Sequence, residues 1–89
     1  MFLFENIMRI KCLYRKNLKM TNDKIASQVA HAIIGLKVTD PLCTIIVLGV
    51  SDEKFNGHFL NYDCYVHEDL GYTEVLPGTR TCLAYYEER

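Results

Sequence analysis

Asn17-Leu-Lys-Met-Thr-Asn-Asp-Lys-Ile-Ala-Ser-Gln-Val-Ala-His-Ala-Ile-Ile-Gly-Leu36 decides how this chain is read. Up to Asp23 it is polar apart from Leu18 and Met20, and Thr21, Asn22 and Asp23 are all good helix N-caps. From Lys24 the apolar residues Ile25, Val29, Ala32, Ile33 and Leu36 recur with a helical period. At about 100° per residue they fall within an arc of roughly 100°. Ala26, Ala30 and Ile34 widen that surface, which predicts a helix packed on more than one side. What remains is a strip of Lys24, Gln28 and His31, with Ser27 at its margin. Spaced i, i+4 and i+7, these side chains stand one above the other and face either bulk water or a cleft. The first turn carries free N–H groups and the positive end of the dipole, beside Lys19 and Lys24, so anions are attracted there.

Outward from this helix the chain alternates strands and helices. Met8-Arg-Ile-Lys-Cys-Leu-Tyr14 alternates apolar and basic residues, the period of a strand with one wet face or edge. Arg15 to Met20 leads from it into the helix. On the other side, Lys37 suits the negative end of the helix dipole, and Thr39-Asp40-Pro41 is a breaker. Cys43-Thr-Ile-Ile-Val-Leu-Gly-Val50 is a nearly continuous β-branched run, as expected of an interior strand covered on both faces. Ser51-Asp-Glu starts a short second helix, supported by Phe55 and Phe59 and weakened by Gly57. Asp63–His67 reads as a third strand, Glu68–Thr73 as a polar loop, Pro77-Gly78 as a turn and Thr79–Tyr86 as a fourth strand. The order β-α-β-α-β-β predicts an α/β fold, a three-layer-like sandwich with a four-stranded mixed sheet and helices packed on it. Ligands of such sheets sit at the carboxyl ends of strands, and the loop Arg15–Asp23 leaves the first strand at such an end.

Length and composition set bounds on this reading. Eighty-nine residues make one domain with a single modest core, here residues 8–86, with 1–7 an N-terminal extension and 87–89 a frayed C-terminus. No apolar run approaches the ~18 residues of a membrane span, and Met1-Phe-Leu-Phe-Glu-Asn-Ile7 is too short and too acidic for a secretory signal. The chain reads as cytoplasmic. Its net charge of −1 hides an asymmetry: Arg9, Lys11, Arg15, Lys16, Lys19 and Lys24 precede residue 25, against only Glu5 and Asp23. Such a cluster beside a helix N-terminus suits a phosphate-bearing partner. Cys12, Cys43, Cys64 and Cys82 lie about evenly spaced in apolar segments, with no C-x-x-C and no zinc spacing, and read as buried reduced thiols with no metal.

Two blocks resemble one family. Leu18-Lys19-Met20 followed by Lys24-Ile-Ala-Ser-Gln-Val-Ala-His-Ala32 is similar to the first-helix signature of the archaeal/eukaryotic-type (type 2) peptidyl-tRNA hydrolases. Asp69-Leu-Gly-Tyr-Thr73 with Pro77-Gly-Thr-Arg-Thr81 resembles that family's D-x-G-x-T…P-G-T-x-T block. The two blocks, residues 8–36 and 66–84, cover 48 of the 89 residues and keep the family's order. There are departures. Thr21-Asn22-Asp23 stands where the family has Gly-Lys-Gly, and Tyr72 where it has a basic residue. The second helix is short, and the segment that members carry after the last strand has no counterpart in these residues.

The resemblance implies hydrolysis of the ester joining a peptide to the 3′ end of tRNA, with no metal and no cofactor. It places the family's catalytic lysine, aspartate and threonine on Lys24, Asp69 and Thr73. Ester hydrolysis needs an activated water and a stabiliser for the oxyanion. Asp69 would take the proton, Thr73 would orient the water or the carboxylate, and Lys24 would stabilise the oxyanion or hold a terminal phosphate. Gln28 would donate into the same cleft, and Lys19, Arg15 and Thr79 would contact substrate. His31 reads instead as a packed, hydrogen-bonded histidine. A catalytically inactive member of the same fold, binding RNA or protein, is the competing expectation, and a homodimer is left open beside a monomer.

Overall fold

The computed structural model describes residues 8–71 and 74–87. The expected extension 1–7 and the last two residues lie outside them. Four strands, β1 (Arg9–Arg15), β2 (Thr44–Val50), β3 (Tyr65–Glu68) and β4 (Arg80–Tyr86), form one mixed sheet in the order β2-β1-β4-β3. β1 pairs parallel with β2 and antiparallel with β4, which pairs antiparallel with β3. Helix α1 (Asn22–Gly35) packs on one face and α2 (Asp52–Asn61) on the other, making the helix–sheet–helix arrangement of an α/β fold.

Alternation along the strands divides the core between those faces. Ile10, Cys12, Cys82 and Ala84 meet Ala32 of α1. Leu13, Val50 and Leu83 meet Phe55 of α2. β4 is central and buried from Thr81 to Ala84. All four cysteines are free thiols, and burial pushes Cys12 up to about 11 and Cys82 up to about 12, so both stay protonated at neutral pH.

Two expectations fail for one reason. β2, read as an interior strand covered on both faces, is an edge strand whose Ile45, Val47 and Leu48 are 45, 42 and 40 % exposed. α1, read as packed on more than one side, leaves Ala26, Ala30 and Ile34 in solvent. One helix per face is too little to cover a four-stranded sheet: both helices pack mainly over β1 and the strands beyond it, and of β2 only Val50 joins a buried cluster.

The strand directions fix two ends of the sheet. β1, β2 and β3 finish at one end, where both helices begin, and α1 and α2 run down to the other. Gly35 permits the descent of α1: a Cβ there would lie 2.2 Å from the Tyr65 ring.

Candidate active site

At the end where both helices start, Thr21 caps α1, its hydroxyl accepting from the Lys24 N–H at 3.2 Å. This holds Lys24 in the first turn, on the side of α1 that faces β3 and β4. Its ammonium meets the Asp69 carboxylate at 2.8 Å, although 45 residues separate the two. Both side chains are more than nine-tenths buried, at 9 and 8 % exposure.

Asp69 sits just past β3, in a turn that returns to β4. Its N–H donates to the Thr79 carbonyl at 2.9 Å, and its own carbonyl accepts from Gly78 at 2.8 Å. Its second carboxylate oxygen accepts the Gly71 N–H at 2.7 Å. Gly71 has φ +83°, and a Cβ there would come 2.5 Å from the Pro77 nitrogen, so the turn needs glycine. Lys24 above all, then the Gly71 N–H and the Gln28 amide, holds the Asp69 carboxyl below the usual carboxylate range, against a desolvation that would raise it. The carboxylate is therefore ionised at neutral pH.

Gln28 is buried one turn along α1, where its carbonyl accepts the Thr81 hydroxyl. The strip on α1 thus splits: Lys24 and Gln28 face the cleft, while His31 is exposed. Far from being packed in the interior, His31 stacks on His67 of β3 with centroids 4.6 Å apart and planes 6° from parallel. Burial, then His31, lowers the pKa of His67.

The other expected substrate contacts are dispersed. Arg15 points to the opposite face, where its guanidinium holds Asp52 at 2.9 and 3.2 Å and the Arg80 carbonyl at 3.0 Å. Lys19 is exposed in the connection into α1, with φ 54°. Thr79 turns its hydroxyl to the Leu76 carbonyl at 2.6 Å, within its own turn. Thr73 and Tyr72 lie outside the described residues. Among the described residues no group of three or more His, Cys, Asp or Glu could hold a metal ion. No helix of the described residues is long and apolar enough to cross a membrane.

One contact went unread in the sequence. Glu74 reaches the start of α1, where its carboxylate accepts the Thr21 N–H at 2.8 Å and the Thr21 hydroxyl at 2.5 Å. These bonds hold its pKa below the usual range. A capping box places a Glu or Gln at the third helical position to accept the N-cap N–H. Here that position is Lys24, and Glu74 does the same from 53 residues away. The sequence signal was the missing acid after a threonine cap, but nothing local points to its replacement.

No protein-family model matches the chain, and no curated protein matches it.

Proposed function

We propose that the chain is a peptidyl-tRNA hydrolase-like esterase, cutting the ester between a peptide and the 3′ end of tRNA in the cytoplasm. The observation that supports this reading most is the buried pair of Lys24 and Asp69, with Gln28 beside it, at the carboxyl ends of the strands. The resemblance rests on two blocks distant in sequence, and the meeting of Lys24 with Asp69 supports reading them as one site.

In this mechanism a water lies against Asp69 and attacks the ester carbonyl. Its proton passes to the carboxylate, and negative charge develops on the carbonyl oxygen beside the Lys24 ammonium and the N-terminus of α1. Collapse breaks the bond to the 3′ oxygen, which takes the proton back from Asp69. A carboxylate with a lowered pKa is a weak base, so most of the rate comes from Lys24 and from positioning of the water. Lys19, exposed like Lys16 in the same connection, is a cation suited to a tRNA phosphate, whereas Arg15 is held by Asp52.

Release of tRNA from a defined peptidyl-tRNA, with and without EDTA, tests the reading. Turnover is expected in both conditions and is expected to fall by about 10²–10³ in Lys24→Ala. Lys19→Ala should leave turnover at saturation in place and reduce the salt slope of tRNA binding by about 0.7–0.9. The second reading, a catalytically silent RNA- or protein-binding module, is favoured by Glu74. Its carboxylate occupies the helix N-terminus where a phosphate would dock. Tight tRNA binding with no hydrolysis would select the silent RNA binder. Neither binding nor hydrolysis would leave the protein-binding module.

A further inference from the structure

The end of the sheet away from Lys24 holds a cavity of about 700 Å³. Tyr62, Tyr65, Tyr85 and Tyr86, four of the six tyrosines in the chain, line it together with Asp63 and His58. No lysine or arginine is among its described lining residues. The cavity wraps the end of the sheet. Tyr65 pairs with Ala84 on the α1 side, while Tyr85 packs with the core on the α2 side.

The described groups that line this cavity are negative or neutral. α1 ends against it at Gly35 and Leu36, and α2 ends against it at His58 and the C-cap Tyr62. Two negative helix ends therefore converge on the space that also holds the Asp63 carboxylate. The last turn of α1 carries no basic residue, and Lys37 beyond it does not line the cavity. His58 is the basic residue in the last turn of α2. Burial, helped by Lys54 and Lys11, lowers its pKa, so it is neutral at physiological pH. Lys11, which also acts on Tyr85, is neutralised by Glu87 at 2.8 Å.

We propose that this cavity is an aromatic cage for an organic cation, specifically a methylated ammonium group. An anion would meet a carboxylate and two helix carboxyl ends. A neutral apolar molecule would gain nothing from them. A bare ammonium or a metal ion keeps its water and draws little from the faces of tyrosine rings. A trimethylammonium group is weakly hydrated and spreads its charge over methyls that pack on π faces, which is the recognition that aromatic cages perform. The volume lies within the range of small-molecule sites and leaves room for a tail beyond the headgroup.

The chain has no tryptophan, so tyrosine emission reports directly on this cavity. Titration with choline should give a saturable change. Ethanolamine, which lacks the methyls, and 3,3-dimethylbutan-1-ol, the neutral carbon isostere of choline, should both bind at least several-fold more weakly. Tyr62 is 64 % exposed at the rim, so Tyr62→Leu should keep the fold, checked by circular dichroism, and weaken choline by roughly two- to thirtyfold. Asp63→Asn, also exposed, should weaken choline and leave the isostere unchanged. Equal binding of choline and its isostere would overturn the proposal, as would the absence of saturable choline binding by the folded wild type. The site lies at the opposite end of the sheet from Lys24 and Asp69, so loss of peptidyl-tRNA hydrolysis and loss of choline binding are separate outcomes.

Discussion

The two ends of this sheet carry opposite electrostatic signs and meet them differently. Where α1 and α2 begin, the positive helix ends are answered by acids of the chain itself: Glu74 on Thr21, and Asp52 and Glu53 in the first turn of α2. The buried Lys24–Asp69 pair completes that end. Where the helices finish, the negative ends face tyrosines and Asp63, and no lysine or arginine is among the described residues that line the space. Two helices running the same way make any such domain polar along its length. Here one pole is answered within the chain and the other is left for a ligand. A phosphate approaching the first pole must displace Glu74, whereas a cation approaching the second meets no lysine or arginine among the described lining residues.

If the first pole is internally satisfied, removing one partner there should cost the most. Lys24→Met leaves a carboxylate buried without its cation and should destabilise the fold by about 3 kcal/mol, read as a shift in the urea midpoint. Lys24→Met with Asp69→Leu should recover most of that loss, because no lone charge remains. A double variant as unstable as the single would show that the cost lies in packing, and the contrast between the ends would fail. Acid probes the same pair. Folding holds the Asp69 pKa below its unfolded value of 3.8, so the unfolded chain takes up the proton first. The contribution of the pair is whole above that pH and is lost as pH falls through the lowered folded value.

Thr21→Ala should have the next effect. It removes the cap oxygen that Lys24 N–H donates to, and one of the two bonds to Glu74, at a cost of about 1 kcal/mol. Glu74→Gln sharpens the test, since it removes the competing anion and keeps the shape. It should raise the affinity of this end for inorganic phosphate, measured by titration calorimetry. Unchanged phosphate binding would mean that Glu74 is not what closes the pole.

These contrasts show what the sequence makes legible. Strand and helix order followed from periodicity, because period 2 and period 3.6 are properties of each segment alone. Sheet order is not such a property. Ile45-Ile-Val-Leu48 is more apolar than Thr81-Cys-Leu-Ala84, yet β4 is buried and β2 is the edge, because neighbours decide burial and residue type does not. On α1, Gln28 is buried and Ile34 is 71 % exposed, the reverse of their polarity, because Gln28 faces Thr81 and none of the described residues covers Ile34. Lys24 and Asp69 were legible together only through the paired blocks. Glu74 was invisible, because its partner is 53 residues away. The tyrosine cavity was invisible for another reason. Tyr85 and Tyr86 are adjacent on a strand and so point to opposite faces, and they share a cavity only because it wraps around the end of the sheet.

The smallest effect is expected at the second pole, from His58. Its Nε2 is sealed from solvent with no hydrogen-bond partner, and its ring lies between Tyr62 and Tyr85, with centroids 4.6 and 4.2 Å away. Phenylalanine keeps the ring and removes the unsatisfied nitrogen, so at pH 8 His58→Phe should lie within about 1 kcal/mol of wild type, on either side. The pH dependence carries the information. Burial, with Lys54 and Lys11 nearby, lowers the folded pKa of His58 below the unfolded 6.5. Above 6.5 the ring is neutral in both states. As pH falls below that value the unfolded chain is protonated first, so wild-type stability declines until the folded ring also takes its proton. His67, lowered by burial and by His31, contributes a similar decline from its own place beside α1. His58→Phe should therefore lose less stability than wild type between pH 8 and pH 5 while keeping the part due to His67. Urea midpoints at those two pH values measure the difference. An equal or steeper fall in the variant would mean that His58 is hydrated and charged, and the second pole would then hold a cation of its own.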